Sequence, residues 1–329
     1  MKKVFSGIQP TGVIHIGNYI GALKNWVKMQ NEYECVYCIV DNHAITSKQE
    51  KEELKKNIIY TAKICLAAGI DPKKSLFFVQ SDVPEHAELT WILNCYTYFG
   101  ELRRMTQFKE KAGSSQEGSC IGLLDYPVLM ASDILLYQTD AVPVGEDQQQ
   151  HLELTRTIAR RVNNIYGSVF KIPEAIINTL GARIMGLDDP TKKMSKSAHS
   201  EYNYIAVDDK AESISRKIQF AVTDSGKDVL MDEERKPAVT NLITLYTLFS
   251  GISISDIEKK YLDCGYSAFK KDLAQVVIDG LKSIREKMLE LDGNEGEIKK
   301  ILKENAVKAR ETAQKTLNDL KSKIGLGSG

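Results

Sequence analysis

The chain has 329 residues, of which 43% are hydrophobic and 27% are charged. These ordinary values exclude a disordered chain, a collagen-like repeat and a disulfide-stabilised miniprotein, and the length indicates two domains or one large domain with an appendage. Basic and acidic residues both number 44, so the net charge is zero and no bulk attraction to nucleic acid or membranes is predicted.

Nothing in the chain reads as a targeting or membrane-spanning segment. The residues after Met1-Lys2-Lys3 include Ser6, Gly7 and Gln9, which interrupt any apolar signal region. No stretch approaches the roughly 20 apolar residues of a membrane helix. We therefore expect a cytoplasmic protein with no membrane partner.

Four short runs of β-branched or aromatic residues in the first half predict buried strands. They lie at 4–6, 35–40, 76–79 and 141–144. Helical patterns lie between or after them, at 17–29, 50–68, 85–98 and 126–137, with 101–125 read as irregular. Strands that alternate with crossover helices predict a Rossmann-like, doubly wound parallel sheet of the α/β class. Cys35 and Cys38 have metal-ligand spacing, but their apolar surroundings favour two buried thiols on a strand.

After Ile205 the patterns are helical. The predicted helices are 208–220, 236–249, 255–261, 267–291 and 295–324. The predicted organisation is therefore a sheet domain at 1–206 followed by an all-α domain at 207–329.

The turn after the first predicted strand, Pro10 to Gly21, is rich in small and hydrogen-bonding residues. It is neither a Gly-x-Gly-x-x-Gly fingerprint nor a Walker loop. A helix N-terminus offers N–H groups and partial positive charge to phosphate oxygens, so a nucleotide site is predicted. A purely structural turn is the alternative.

A second motif, Lys192-Lys193-Met194-Ser195-Lys196-Ser197, places three lysines and two serines on one loop. Lysine ammonium groups and hydroxyls suit a polyphosphate. For an isolated cluster, a solvated basic loop would be the simpler interpretation.

The two motifs together resemble those of a known family. His15-Ile-Gly-Asn18 and Lys193-Met-Ser-Lys-Ser197 are similar to the signatures of class I aminoacyl-tRNA synthetases. Further segments resemble the bacterial-type tryptophanyl-tRNA synthetase family, namely 5–10, 104–111, 126–133, 142–148, 181–185, 221–224 and 269–277. The resemblance covers most of the chain.

The resemblance implies an ATP-dependent ligase that forms tryptophanyl-adenylate, releases pyrophosphate and transfers tryptophan to tRNA(Trp). The implied catalytic residues are His15, Lys193 and Lys196. The implied ATP-binding residues are Gln9, Pro10, Thr11, Gly17, Asn18, Gly145, Glu146, Asp147, Ile184, Lys193, Met194, Ser195, Lys196 and Ser197. Mg²⁺ is expected to arrive with ATP, with no protein-built metal site and no tightly bound cofactor.

The resemblance also implies a tryptophan pocket. Its residues would be Phe5, Val40, His43, Tyr126, Met130, Asp133, Val144 and Gln148. Asp133 would accept the indole N–H, which is a donor only. Tyrosyl-tRNA synthetases carry a tyrosine on the first strand where this chain has Phe5, so a phenol substrate would lose a partner here.

The family implies a homodimer and a helical domain that binds the tRNA anticodon. The apolar run 91–99 would suit part of a symmetric interface, although it would also suit a core. Three alternatives stay open: a tyrosyl-type enzyme, a small adenylyltransferase of the same superfamily, and a non-catalytic RNA-binding protein.

Overall fold

The computed structural model describes residues 1–112, 119–145, 148–177 and 184–327. Within these residues, five parallel strands form a sheet in the order β3-β2-β1-β4-β5. The strands are β1 Lys3–Ile8, β2 Glu34–Ile39, β3 Leu76–Val79, β4 Ala141–Val144 and β5 Glu174–Ile177. The predicted Rossmann-like α/β class is confirmed.

Helices connect and cover the strands. In the sheet half they are α1 Ile16–Asn18, α2 Lys24–Met29, α3 Asp41–Ala44, α4 Lys51–Ala68, α5 Glu85–Asn94, α6 Phe99–Leu102, α7 Thr106–Ala112, α8 Ile121–Leu135 and α9 Gln149–Tyr166. A π-helical turn, Tyr19–Leu23, joins α1 to α2. The later helices are α10 Ala211–Phe220, α11 Pro237–Ser250, α12 Ile254–Lys260, α13 Gly265–Leu291 and α14 Glu295–Ile324.

Strands β2 and β3 are buried on both faces of the sheet. Successive side chains of a strand point to opposite sides, so each of these strands contributes to the core on both faces. On β2, Tyr37 and Ile39 belong to one hydrophobic cluster, whereas Val36 and Cys38 belong to the other. Cys35 and Cys38 are buried free thiols in different clusters, so the interpretation as strand residues is confirmed.

Several elements of the described chain were not predicted, among them the short helices α3 and α6. Strand β5 lies at the sheet edge and most of its residues are exposed, so it lacks the apolar run of a buried strand. Helix α9 was not assigned, although its apolar residues recur along one buried face. The prediction that 101–125 is irregular was wrong for the end of α6, for α7 and for the first residues of α8, and 113–118 lie outside the described residues.

From 207 to 327 the regular elements are helices. The last of them, α14, packs against β3 and α5, and its small residues Ala306, Ala309 and Ala313 belong to a core cluster of the sheet. The division into domains at 206/207 stays a prediction.

In the described part of the chain no one helix is long and apolar enough to span a bilayer; only α11 with α12, a pair bent by 111°, passes on combined length and composition.

The topology reverses beside β1. From β1 the chain builds outward through β2 to β3, and then crosses to β4 and β5 on the other side of β1. In open α/β sheets, ligands bind beyond the carboxyl ends of the strands at such a reversal. The residues after β1 and β4 are therefore the place to look for a site.

Candidate active site

The turn after β1 is shaped around His15. The ring Nδ1 of His15 accepts a hydrogen bond from the backbone N–H of Gly17 at 3.1 Å. The backbone N–H of His15 donates to Asn18 Oδ1 at 3.2 Å. A Cβ on residue 17 would lie 2.9 Å from the His15 ring, so this close turn requires glycine. Because Nδ1 accepts, a neutral His15 ring carries its proton on Nε2 and can donate it.

A strap from the second half of the chain holds this turn in place. The Ile16 N–H donates to the Ile205 carbonyl at 2.9 Å, and the Val207 N–H donates to the Ile14 carbonyl at 3.0 Å.

Burial, together with the charges of Lys193 and Lys196, lowers the pKa of His15 to about 4. The imidazole is therefore neutral at pH 7, a hydrogen-bonding group and not a cation.

The lysine loop closes against the same turn. Lys196 Nζ donates to Thr11 Oγ1 at 2.8 Å. The loop forms a narrow hairpin with the segment before it, because the Met194 N–H donates to the Ile184 carbonyl at 3.0 Å. Ile184 and Met194 are buried, and Ile184 Cβ lies 3.8 Å from where a Gly17 Cβ would be. The fold thus brings both signature motifs into contact.

Two asparagines anchor this hairpin, and the sequence analysis missed both. Asn203 Oδ1 accepts the Ser195 N–H at 2.8 Å. Asn241, on α11, accepts the Met185 N–H through Oδ1 at 2.9 Å and donates through Nδ2 to the Met185 carbonyl at 3.0 Å. The sequence signal for Asn241 was a polar residue within an otherwise apolar helix. A buried polar side chain needs a hydrogen-bond partner, so this position could have been predicted to anchor another segment.

The predicted tryptophan pocket is built around a buried carboxylate. Asp133 Oδ2 lies 2.8 Å from His43 Nε2, and Asp133 Oδ1 lies 2.6 Å from His86 Nδ1. Gln80 Nε2 donates to Oδ1 at 2.5 Å. Burial alone would raise the pKa of Asp133, but the hydrogen bonds from His43 and His86 outweigh it and hold this pKa below its usual value. Asp133 is therefore an ionised acceptor.

A second polar chain lies beside this carboxylate. The Tyr126 hydroxyl donates to Gln107 Oε1 at 2.6 Å and lies 3.0 Å from His151 Nε2. His151 Nδ1 lies 3.1 Å from Gln148 Oε1. The Tyr126 ring meets the His43 ring edge-on at 6.1 Å, so the two polar chains adjoin.

The other residues predicted for this pocket include apolar side chains near the sheet. Phe5 is buried on β1 and stacks on Tyr137, with ring centroids 5.9 Å apart and an interplanar angle of 7°. Val40 and Val144 are buried at the carboxyl ends of β2 and β4, and Met130 is half-buried one helical turn before Asp133.

Several predicted ATP-binding residues differ in how deeply they are buried. Gln9 and Asn18 are exposed, whereas Pro10 is buried under the turn. Gly145 follows β4 and is exposed, and Glu146 and Asp147 lie outside the described residues. Among residues that the structure describes, no group of three or more His, Cys, Asp or Glu side chains lies close enough to hold a metal ion.

The residues of the candidate site are suited to positioning substrates and to stabilising charge. The turn after β1 and the lysine loop together offer a neutral imidazole, two ammonium groups and backbone N–H groups, which suit a polyphosphate. The Asp133 site offers an ionised, buried carboxylate near apolar core residues, a combination that suits a flat ring with one polar donor.

The fold and this paired site are those of class I tRNA synthetases. The family described as tRNA synthetases class I (W and Y) matches residues 1–282. The tryptophan–tRNA ligase of Caldanaerobacter subterraneus is 52% identical over 326 residues, with 99% of each chain covered. That of Bacillus subtilis is 50% identical over 326 residues, with 99% of this chain and 98% of the relative covered. The chain belongs to the tryptophan–tRNA ligase family.

Solved structures agree with this membership. A tryptophanyl-tRNA synthetase from Mycoplasma pneumoniae superposes with a TM-score of 0.90 at 35% identity, covering 100% of this chain and 99% of that chain. One from Campylobacter jejuni, complexed with ADP and tryptophan, superposes with a TM-score of 0.83 at 40% identity, covering 98% and 100%. A tyrosyl-tRNA synthetase from Archaeoglobus fulgidus, at 20% identity and a TM-score of 0.68, shares the fold.

Proposed function

We propose that the enzyme activates L-tryptophan with ATP and then charges tRNA(Trp). In the first step a tryptophan carboxylate oxygen attacks the α-phosphorus, a carboxylate–phosphate bond forms, and the bond to the bridging oxygen of pyrophosphate breaks. In the second step a ribose hydroxyl at the tRNA terminus attacks the adenylate carbonyl, and AMP leaves. Both steps ask the protein mainly for positioning and charge stabilisation.

We assign roles in phosphate binding to residues of the turn after β1 and of the lysine loop. Lys193 and Lys196 would stabilise the charge that develops on the leaving pyrophosphate, because ammonium groups favour anions in a site shielded from water. His15, neutral with its proton on Nε2, would donate a hydrogen bond to a phosphate oxygen. Gln9 and Asn18, which are exposed, would bind ATP. Mg²⁺ would enter as part of the ATP substrate, held by phosphate oxygens and water.

One observation carries the choice of amino acid: Asp133 is buried and ionised, and the first strand supplies Phe5, which has no hydrogen-bonding group, against Tyr137 beside this site. An indole N–H needs one acceptor and nothing more, and Asp133 provides it. A phenol would also need a donor for its oxygen, and a buried polar group left unpaired costs about 1–3 kcal/mol. The pocket therefore favours tryptophan over tyrosine.

The macromolecular roles belong to other surfaces. The helices after residue 207 would bind the anticodon, since unpaired RNA bases are recognised by stacking and by polar side chains. Trp91 on α5, Tyr98 at the N-cap of α6 and Phe99 at its first position are exposed aromatic side chains, and they would form part of a symmetric dimer interface. We place this activity in the cytoplasm, where charged tRNA is used in translation.

The test of the proposed function is exchange of labelled pyrophosphate into ATP, run separately with each of the twenty amino acids and Mg²⁺ in the absence of tRNA. We expect exchange with tryptophan and with no other amino acid. Exchange with tyrosine would refute the argument from Phe5 and Asp133. Absence of exchange with every amino acid would refute tRNA-independent activation.

A further inference from the structure

The carboxylate of Asp133 is held asymmetrically. An ionised carboxylate has about four acceptor positions, two on each oxygen. Among the described residues, Oδ1 accepts from both Gln80 and His86, whereas Oδ2 pairs with His43. Both acceptor positions of Oδ1 are thus occupied, and the one acceptor position that these bonds leave on Asp133 belongs to Oδ2.

The ring of His86 is itself held by a buried hydroxyl. His86 Nε2 lies 2.8 Å from the Tyr137 hydroxyl. Burial raises the pKa of Tyr137 well above its usual value, so this hydroxyl keeps its proton and can donate it to Nε2. The proton of a neutral His86 then sits on Nδ1, directed at Asp133. Tyr137 cannot shift easily, because it is fully buried and stacked on Phe5.

The helix that carries His86 is fixed from two sides. Next to it, Glu85 Oε1 accepts from Arg310 Nε at 2.8 Å and from Gln314 Nε2 at 3.0 Å, both on α14. One turn later, Thr90 Oγ1 donates to the His86 carbonyl at 2.7 Å and lies 3.0 Å from Ser132 Oγ. The start of α5 is thereby tied to the last helix and to α8.

We propose that His86 is a positioning residue that sets how strongly the pocket selects a ring carrying an N–H. By holding Oδ1, it fixes the plane of the Asp133 carboxylate and leaves Oδ2 aimed for the substrate donor. The inference rests on the proposed indole contact of Asp133 and goes beyond it, because His86 lies behind the carboxylate and acts through it.

Two isosteric variants separate the two nitrogens of the ring. The amide nitrogen of His86→Asn takes about the position of Nδ1 and keeps the donor to Asp133. The amide nitrogen of His86→Gln reaches about the position of Nε2 and meets Tyr137 instead. Thr90→Val is the matched control, because it removes a buried hydrogen bond on the same helix without touching Asp133.

The readout is the ratio of kcat/KM for tryptophan to kcat/KM for 3-benzothienylalanine, in which sulfur replaces the ring N–H. Pyrophosphate exchange measures both. We expect the ratio to fall about tenfold in His86→Gln, the effect of one lost hydrogen bond to a charged group, and to stay within about threefold of wild type in His86→Asn and Thr90→Val. A general loosening of the fold would lower both activities and leave the ratio unchanged.

The possible outcomes are distinct. A wild-type ratio near one would refute the indole contact of Asp133, and with it that part of the proposed function. A high wild-type ratio that persists in His86→Gln, or that falls equally in all three variants, would refute the role of His86 alone. A further test needs no variant: the ring ¹⁵N shifts of His86 in the wild-type enzyme should report the Nδ1–H tautomer, and the Nε2–H tautomer would overturn the proposal.

Discussion

Lys196 donates a hydrogen bond from its ammonium group to the Thr11 hydroxyl oxygen across 2.8 Å, although 185 positions separate the two residues in the chain. Burial lowers the pKa of this ammonium group, while the negative charge of Glu53 opposes the shift. The contact ties the loop of one signature motif to the turn of the other. In the proposed reaction, this ammonium group exchanges Thr11 for a phosphate oxygen.

Replacement of Lys196 tests its role at phosphorus. In Lys196→Ala we expect the rate of tryptophan-dependent pyrophosphate exchange to fall about 100-fold or more, because a preorganised charge at the leaving group is lost. Lys192→Ala is the control, since Lys192 is largely exposed and pairs with Asp189. That variant should stay within about threefold of wild type, because exposed ion pairs contribute little. Equal rates in the two variants would contradict the assignment.

The titration of His15 is a second prediction. Its ring should titrate near pH 4 in NMR, because burial and the two lysine charges disfavour the cation. The midpoint should rise in Lys196→Ala. Since the folded pKa lies below the unfolded value of 6.5, protonation favours the unfolded state: this residue should lower the free energy of unfolding as pH falls from 6.5 towards 4, and leave it unchanged above 6.5. A midpoint near 6.5 would show that the imidazole is accessible and distant from both lysines.

The carboxylate of Asp133 should govern the amino acid and not the nucleotide. In Asp133→Ala we expect kcat/KM for tryptophan to fall about 100-fold, since the buried donors around the site also lose their partner, with a smaller change in KM for ATP. Asp125→Ala, on the same helix and bonded to Asn94, is the matched control. Amino-acid selectivity that survives in Asp133→Ala would remove the basis of the pocket assignment.

The asparagine on α11, Asn241, should contribute to stability. Asn241→Leu leaves the N–H and carbonyl of Met185 without these two hydrogen bonds, so the free energy of unfolding should fall by about 2–4 kcal/mol. Thr244→Val, one turn later on α11, loses a hydroxyl that donates to a helix carbonyl, and should change stability by less than about 0.5 kcal/mol. Urea denaturation measures both. Similar curves for the two variants would mean that the anchor does not stabilise the loop.

The exposed aromatic patch predicts the oligomeric state. Trp91, with 73% of its surface exposed, should be buried in a dimer, so Trp91→Glu should yield monomers in analytical ultracentrifugation. Leu262 is 72% exposed in the helical half, and Leu262→Glu should leave the mass unchanged. A monomeric wild-type protein would rule out the proposed homodimer.

Much of the fold could be predicted because its signals are local. The strands β3 and β4 and the helix α14 lie where the residue patterns predict them, since each is an apolar run or a periodic helix bounded by turn residues. The edge strand β5 could not be predicted, because its stability comes from pairing with β4 and not from an apolar run of its own. The contacts of α14 with β3 are equally non-local.

The candidate site likewise has a part that local sequence patterns predict and a part that they do not. Short-range chemistry already indicates the turn around His15 and the lysine loop, because glycines, helix starts and clustered lysines are visible as residue patterns. The partners of Asp133 are not visible in this way. Gln80 and His86 come from a different segment of the chain and meet the carboxylate only once α5 and α8 pack together.

The sequence by itself determined the class of fold, the two signature motifs and the family resemblance, since all of these reside in neighbouring residues. Tertiary structure decided which polar groups are buried together, and therefore the neutral state of His15, the ionised state of Asp133 and the asparagine anchors of the lysine loop. The physical reason is that desolvation and hydrogen bonding depend on distance in space, and residues far apart along the chain set those distances only when the sheet and helices pack.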